Sequence, residues 1–163
     1  DSWSFPGGTT PIQIAAGKGA FIDQVVNGSC FGSTCLTSTP PVLGKTGIEV
    51  FEYPGYVTTR VMLPFLNEAM HVVMEGVASA EAVDTSMKLG YGLPMGPLAL
   101  ADRIGLDEVM RWMQYLFDEL GDLKYRPCPL LRKMIRAGHL GRKSGRGFFE
   151  YDEKGQIVSG GKK

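Results

Sequence analysis

Residues 54–106 decide the fold, and they read PGYVTTRVMLPFLNEAMHVVMEGVASAEAVDTSMKLGYGLPMGPLALADRIGL. The first part, residues 56–75, carries apolar side chains at the spacing of one long helix. The other residues of this helix gather on one narrow stripe: Arg60, Pro64, Asn67, Glu68, His71 and Glu75. Because the apolar sector is wider than this stripe, we expect the helix to be contacted from more than one side, as a central helix or a helix at a subunit interface would be.

Two hydroxyl side chains lie in the first turn of this helix, on its apolar side. Thr58 and Thr59 need hydrogen-bond partners there, because a buried hydroxyl without a partner is destabilising. Backbone carbonyl groups of the same turn could accept these hydrogen bonds. A bound ligand could accept them instead, so the periodicity alone leaves both alternatives open.

The chain beyond residue 42 predicts a series of helices between short strands. A β-favouring run over residues 48–51 predicts a strand that ends at Tyr53. Ser79 is typical of an N-cap and Gly90 of a helix C-terminus, so these residues bound a second helix. Three more helices are predicted over residues 98–103, 106–120 and 129–138, followed by a glycine turn and a short closing strand within residues 144–152. This order predicts a mainly α domain rather than an alternating parallel sheet.

Composition argues against several classes of protein. The chain has 163 residues, enough for one domain with its own core, and its formal net charge of zero at pH 7 favours neither nucleic acid nor an anionic membrane. We expect no membrane span and no signal peptide, because no apolar run has the required length. The three cysteines, an odd count, predict reduced thiols and a cytoplasmic protein. With two histidines and no C-x-x-C pair, no metal site is expected.

Residues 1–42 form a low-charge segment, rich in Gly, Ser and Thr, that stays unassigned and is expected to be mostly loop. Within it, PIQIAAGKGAFIDQVV at residues 11–26 could be a strand, a glycine turn and a helix, as in a dinucleotide-binding fold. The fingerprint G-x-G-x-x-G has Ile22 where its third glycine belongs. No acidic residue follows about 20 positions further on to hold a ribose. Ordinary turn glycines therefore explain the pattern better.

Five stretches carry a resemblance to a known family: LGKTGIEV, PGYVTTRVMLPFLNEA, EGVASAEAVDTSMKLG, LPMGPLALADRIGLD and GDLKYRPCPLLRKMIRAGHLGRKSGRGFFEY. In this order, over about two-thirds of the chain, the sequence resembles the C-terminal helical domain of short-chain 3-hydroxyacyl-CoA dehydrogenases, closest to the bacterial 3-hydroxybutyryl-CoA members. The resemblance implies a multi-helix domain of the 6-phosphogluconate/3-hydroxyacyl-CoA dehydrogenase type, with short strands at either end. It implies a strand and linker over residues 43–54, a substrate and dimerisation domain over 55–152, and a tail over 153–163.

In that family the helical domain follows an NAD-binding Rossmann domain, which holds a catalytic His–Glu pair and a serine. The helical domain contributes one Asn from a GF-x-x-NR motif. This sequence resembles the motif as GYVTTR, with Thr59 at the Asn position. A threonine still donates one hydrogen bond, but it reaches less far and lacks the amide. The resemblance makes Thr59 a candidate substrate-binding residue and leaves the catalytic set of this chain incomplete.

Two further positions follow from the resemblance. GLPMGPL is similar to the family's substrate-side loop, which makes Pro94, Met95, Gly96 and Pro97 candidate walls of an acyl site; the alternative is punctuation at a helix start. Lys143, in GRKSG, is similar to the lysine that reaches the nicotinamide cofactor. It belongs to a run of basic residues without an acidic member: Arg132, Lys133, Arg136, His139, Arg142, Lys143 and Arg146. The run either attracts the phosphates of CoA or NAD, or adds favourable charge at a helix C-terminus on a solvated face.

These expectations combine in one hypothesis, a C-terminal domain of an NAD-dependent 3-hydroxyacyl-CoA dehydrogenase of fatty acid or butanoate metabolism. The resemblance implies hydride exchange between NAD and an acyl-CoA substrate, a homodimer, and a separate Rossmann-domain chain as a possible partner. The chain alone is expected to be inactive. One alternative is a non-catalytic dimerisation or scaffold protein derived from this domain, and another is a related dehydrogenase of a different small hydroxy acid. A partner that supplies the Rossmann domain would favour the enzyme over the scaffold.

Overall fold

The computed structural model of the chain describes residues 29–31, 48–50 and 53–160, with side-chain environments for residues 53–158. Residues 1–60 and 61–163 form two compact units. The strand, turn and helix considered for residues 11–26 lie outside the described residues. Among the helices described, none has the length and apolar character to cross a membrane.

The first unit contains a parallel pair of short strands, β1 (Ser29–Phe31) and β2 (Ile48–Val50). The predicted strand at β2 is therefore confirmed, but its predicted end at Tyr53 is wrong. Tyr53 begins a turn instead, because its carbonyl accepts a hydrogen bond from the Tyr56 N–H at 2.9 Å. β1 lies in the segment that the sequence left unassigned, since a three-residue strand has too little periodicity to be recognised.

Five helices and a strand pair follow in the described residues: α1 (Thr58–Met74), α2 (Ala80–Tyr91), α3 (Pro97–Ile104), α4 (Leu106–Leu120), α5 (Pro129–Arg136), β3 (Phe149–Tyr151) and β4 (Ile157–Gly160). β3 and β4 are antiparallel. The predicted order, a mainly α domain with short strands at either end, is confirmed. The sequence predicted one closing strand, and β4 adds a second within residues 153–163.

A serine N-cap and a left-handed glycine define the two ends of α2. Ser79 is the N-cap, as predicted, and its hydroxyl accepts a hydrogen bond from the Ala82 N–H at 3.2 Å. The predicted end at Gly90 is wrong, because α2 continues through Gly90 to Tyr91. The left-handed residue that ends the helix is Gly92, with φ 65°. Two glycines stand close together in this sequence, and only the second has the backbone conformation that favours glycine.

The core of the second unit forms around the apolar face of α4. Its fully buried side chains include Leu63, Leu66 and Met70 of α1, Leu98 and Ala101 of α3, Leu106, Val109, Met113 and Leu116 of α4, and Leu131 of α5. The 3.6-residue spacing of these positions brings them to one face of each helix, so the burial of apolar surface sets how the helices pack.

Asn67 departs from the polar stripe predicted for α1, because its side chain is only 6% exposed. Its amide nitrogen donates to the Arg126 carbonyl at 3.1 Å, and its amide oxygen accepts from the Cys128 N–H at 2.9 Å. Both partners belong to the connection between α4 and α5. Asn67 therefore fastens this connection to α1 by satisfying backbone groups that the burial removes from water.

Asp102 in α3 holds the C-terminal strand pair. Its carboxylate is 1% exposed and accepts hydrogen bonds from the Phe148 N–H, the Phe149 N–H and the Tyr151 hydroxyl, each at 3.0 Å. Gly147 permits this approach, since a Cβ there would lie 2.0 Å from an Asp102 carboxylate oxygen. Burial raises the pKa of Asp102 to about 6, and the three hydrogen bonds offset part of that effect.

We predict that Asn67→Ala lowers the free energy of unfolding by about 1–3 kcal/mol, because the buried Cys128 N–H loses its acceptor. Glu68→Ala is the matched control, since Glu68 is the exposed neighbour on the same helix and should change stability by less than about 0.5 kcal/mol. Urea unfolding followed by circular dichroism measures both. Equal unfolding midpoints for the two variants would contradict the role given to Asn67.

A second prediction concerns pH. The pKa of Asp102 in the folded protein, about 6, lies above its ordinary value of 3.8, so the folded state binds the proton more tightly than the unfolded chain. The stabilisation is complete below the unfolded pKa and is lost as the pH rises through 6. The difference in unfolding free energy between wild type and Asp102→Asn should therefore fall by about 2 kcal/mol from pH 4 to pH 7.

Urea unfolding of both proteins across this pH range provides the measurement. Asp118→Asn, on the exposed side of α4, controls for the loss of one carboxylate. A difference between wild type and Asp102→Asn that stays constant with pH would show that Asp102 does not titrate in this range.

Candidate functional site

The loop between α2 and α3 contains the residues predicted to wall an acyl site. Pro94 is exposed and Met95 is half-buried, whereas Gly96 and Pro97 are buried. The loop therefore offers the surfaces of Pro94 and Met95 to a ligand, while Gly96 and Pro97 face inward. Their role in substrate binding stays a prediction.

Asp84 of α2 explains why Gly96 and Pro97 are buried. Its carboxylate accepts hydrogen bonds from the Leu98 N–H at 2.8 Å and the Ala99 N–H at 2.9 Å, and so caps the start of α3 from a neighbouring helix. A Cβ on Gly96 would lie 2.2 Å from Asp84 Cγ, so the residue there must be glycine. Burial raises the pKa of Asp84, and the hydrogen bonds from Leu98 and Ala99 partly offset this effect. The capping of α3 by Asp84 therefore accounts for the loop geometry without a ligand.

Thr59 lies in the first turn of α1, half-buried, and belongs to the first unit of the chain. The turn that leads into this helix contains Gly55 at φ 75° and Tyr56 at φ 45°. A positive φ is unusual for a bulky residue and stores strain. The Gly55 carbonyl accepts the Arg60 N–H at 3.3 Å, which fixes the start of the helix next to Thr59. A role for Thr59 in substrate binding remains a prediction.

Lys143 lies on a short 3-10 turn, Arg142–Ser144, and its side chain is 47% exposed. Its ammonium donates to Asp107 Oδ2 at 2.5 Å. Partial burial raises the pKa of Asp107, but the hydrogen bond and charge of Lys143, with backbone N–H groups at the start of α4, outweigh it and hold that pKa below its ordinary value. The candidate cofactor lysine therefore forms an ion pair with an ionised carboxylate.

The basic run, which the sequence allows as a phosphate-attracting surface or as helix-end charge on a solvated face, is divided in the structure. Arg146 pairs with Glu150 at 3.7 Å, and the Arg142 guanidinium donates to the Lys154 carbonyl at 3.2 Å. With Lys143 bound to Asp107, acidic residues from outside the run neutralise part of its charge. The exposed basic residues of α5 are Arg132, Lys133 and Arg136. Part of the run is therefore paired with groups elsewhere in the chain, and part of it is solvated helix surface.

α3 separates the two candidate surfaces of the second unit. The Pro94–Met95 surface precedes its first residue, and Lys143 lies over Gly105 directly after its last. The eight residues of α3, at 1.5 Å per residue, give the helix between them a length of about 12 Å. An open groove on α4 and α5 is lined by Asp107, the partner of Lys143, together with Met110, Tyr115 and Ile135, and it does not include Pro94 or Met95.

Sequence reasoning missed the supporting roles of three aspartates: Asp84, Asp102 and Asp107. Asp102 carried the available signal, because it is an isolated acidic residue in an apolar stretch, and such a residue is buried only when hydrogen-bonded. The sequence position of Asp107 indicates only an acidic residue at a helix start. Its partner lies 36 positions away along the chain, beyond any local pattern.

Comparison with known proteins shows which sequences and structures this chain resembles. The sequence model of the family described as "3-hydroxyacyl-CoA dehydrogenase, C-terminal domain" matches residues 55–151, which is more than half of the chain. A probable 3-hydroxybutyryl-CoA dehydrogenase of Bacillus subtilis is 61% identical over 112 residues, which cover 69% of this chain and 39% of that protein. A 3-hydroxybutyryl-CoA dehydrogenase of Bradyrhizobium diazoefficiens is 51% identical over 131 residues, which cover 78% of this chain and 45% of that protein.

Solved structures agree in fold. The crystal structure of (S)-3-hydroxybutyryl-CoA dehydrogenase from Ralstonia eutropha superposes with a TM-score of 0.72 at 44% identity, over 77% of this chain and 47% of that one. The chain spans less than half the length of the curated relatives it matches. The match lies on the helices and the C-terminal strand that form the second unit and its entry. The chain therefore belongs to the 3-hydroxyacyl-CoA dehydrogenase family, through the C-terminal domain of that family.

Proposed function

We propose that the chain provides the C-terminal domain of an NAD-dependent 3-hydroxybutyryl-CoA dehydrogenase, an oxidoreductase that acts on the 3-hydroxyl of an acyl-CoA. The observation that carries the proposal is the high identity to bacterial relatives of that name across most of the described residues. Residues 55–152 form the substrate and dimerisation domain in this proposal, after a linker at 43–54 and before a tail at 153–163.

On the substrate side, the proposal assigns Thr59 as a hydrogen-bond donor to the reacting end of the acyl group. As a separate assignment within the second unit, the exposed surface of Pro94 and half-buried Met95 is proposed to receive the short acyl chain. Gly96 and Pro97 keep the loop against Asp84 and so fix where that surface lies.

On the cofactor side, the proposal assigns Lys143. An ammonium has three N–H donors, and Asp107 accepts one of them among the described contacts, so Lys143 fits a phosphate or amide oxygen of NAD. When bound, NAD supplies the hydride acceptor of the reaction. The resemblance assigns the general base and the nucleotide-binding fold to a Rossmann domain, in the same protein or in a separate chain. The location proposed for this chemistry is the cytoplasm.

We predict that the 163-residue chain alone does not reduce NAD with 3-hydroxybutyryl-CoA, because the family places the base and the nucleotide fold in the Rossmann domain. Adding the purified Rossmann half of a related dehydrogenase should restore turnover. Thr59→Asn should raise the restored rate by roughly tenfold, since an amide donor reaches further towards the substrate oxygen. NADH absorbance is the measurement.

Thr58→Asn is the matched control, because it places the same side chain one position earlier in the same turn. Equal rates for the two Asn variants would contradict the role of position 59. Turnover by the chain without a Rossmann half would overturn the expected inactivity. Failure of every Rossmann half to restore turnover would favour the scaffold alternative.

The proposed assembly is a homodimer through the helical domain. Several large apolar side chains are exposed in the described chain, among them Val61 at 68% and Leu89 at 82%. Val61 lies on the apolar sector of α1 from which the sequence predicted an interface, and its exposure there supports the proposed dimer.

We predict a dimer of the wild-type chain at micromolar concentration in analytical ultracentrifugation. Val61→Asp should weaken self-association by about tenfold or more without unfolding the chain, because it places a charge on an exposed apolar surface. Thr85→Asp introduces the same charge at an exposed position of α2 and serves as the control. A monomeric wild type would contradict the dimer, and an unaffected Val61→Asp dimer would contradict the interface on α1.

A further inference from the structure

We propose that Asp107 is a positioning residue for the proposed cofactor contact: its carboxylate holds the Lys143 ammonium over Gly105, in the place where it meets a phosphate or amide oxygen of NAD. The inference rests on the proposed function, because the cofactor role of Lys143 belongs to that proposal. It adds a residue that does not touch the cofactor and acts through Lys143.

Hydrogen bonds within the turn fix the backbone at Lys143. The Ser144 hydroxyl lies within hydrogen-bond distance of the Gly141 carbonyl at 3.0 Å and the Arg146 carbonyl at 2.9 Å, and it accepts from the Leu140 N–H at 2.9 Å. Gly141 and Gly145 have φ of 91° and 71°, where glycine is favoured, so the turn closes without strain at either end. The Cα of Lys143 is therefore fixed within the turn.

The same turn is docked onto the junction between α3 and α4. The Leu106 N–H donates to the Leu140 carbonyl at 3.1 Å. Gly141 lies so close to α3 that a Cβ there would be 2.4 Å from the Asp102 carbonyl oxygen. Beyond the turn, the Asp102 carboxylate holds the backbone of Phe148 and Phe149. The segment with Lys143 is thus attached on both sides to the residues that precede Asp107.

A fixed backbone does not fix a lysine side chain, which has four rotatable bonds and a point charge at its end. Asp107 removes this freedom, because its Oδ2 accepts from the Lys143 ammonium at 2.5 Å. A Cβ on Gly105 would lie 3.4 Å from the Lys143 nitrogen, so the ammonium rests directly over a residue without a side chain. The position of the charge is therefore set by two residues at the start of α4.

Asp107 is ionised at the start of α4. It lies in the first turn of α4, where the backbone N–H groups and the helix dipole favour a carboxylate. Partial burial opposes ionisation, but the bond and charge of Lys143 and the N–H groups of Asp107 and Glu108 together hold the pKa of Asp107 below its ordinary value. At neutral pH this carboxylate remains an acceptor for Lys143.

A positioning role and a charge-neutralising role for Asp107 predict opposite changes in NAD affinity when its carboxylate is removed. If Asp107 only cancelled the charge of Lys143, removing its carboxylate would strengthen the binding of an anionic ligand. If Asp107 positions the ammonium, removing the carboxylate releases the lysine side chain and weakens binding, because the side chain must then be ordered by the ligand. The sign of the change therefore decides between the two roles.

The experiment combines the full 163-residue chain with the purified Rossmann half of a related dehydrogenase and titrates the mixture with NAD at low salt, by calorimetry and by NMR line broadening. We expect Lys143→Gln and Asp107→Asn each to weaken NAD binding by about three- to fivefold, since the pair is half exposed. In the Lys143→Gln background, Asp107→Asn should have no further effect. Asp107→Glu, which keeps the carboxylate, should recover part of the loss. The differences should shrink as salt rises, because exposed charges are screened.

Glu108→Gln is the matched control, because it removes one negative charge at the neighbouring position of the same helix turn. It should leave NAD binding unchanged or make it slightly tighter. Melting temperatures check that every variant is folded. Asp107→Ser keeps an oxygen at the helix start but is too short to reach Lys143, and it replaces Asp107→Asn if that variant does not fold.

Two results overturn the inference in distinguishable ways. NAD binding that is weakened by Lys143→Gln but unchanged or tighter in Asp107→Asn overturns the positioning role and leaves the proposed function intact. Absent NAD binding, or binding that does not depend on Lys143, overturns the cofactor role of Lys143 and the positioning role with it.

Discussion

The burial of Asp102 is the constraint on which the second unit depends. A carboxylate that is 1% exposed, with no cation among its described hydrogen-bond partners, is stable only if N–H and O–H donors replace the water it has lost. The chain meets this requirement with the backbone of Phe148 and Phe149 and the hydroxyl of Tyr151. One buried charge thereby fastens the C-terminal strand pair to α3, about 46 positions away along the chain.

Asp84 performs the same task at the other end of α3, where it binds the N–H groups of Leu98 and Ala99. The helix is too short to be stable alone, and both of its ends are held by carboxylates through backbone groups. In both cases a glycine faces the carboxylate at a distance that excludes any side chain, Gly96 against Asp84 and Gly147 against Asp102. Gly96 and Gly147 are therefore required by the two buried carboxylates that they face.

The sequence predicted the features that local periodicity determines and missed those that depend on distant partners. α4 has the predicted bounds, Leu106–Leu120, because a complete apolar face and Gly121 define them locally. The predicted end of α2 at Gly90 is two residues too early, because glycine at position 90 gives the same local signal as the glycine at position 92 that ends the helix. Asn67 and the partners of Asp84, Asp102 and Asp107 were missed, since their hydrogen bonds join elements that are far apart in sequence. The resemblance makes Lys143 and the loop at Pro94 and Met95 candidates, and the structure adds the carboxylates of Asp107 and Asp84 beside them.

The short length of α3 has a consequence for redesign. An α-helix turns 100° and rises 1.5 Å with each residue, so inserting or deleting one residue in α3 would rotate everything attached after it by more than a quarter turn. The carboxylate of Asp102 would then face away from the strand pair, and Gly105 would leave the ammonium it now supports. The number of residues between Gly96 and Gly105 is therefore constrained, because it sets the angle between Asp102 and the glycines at either end of α3.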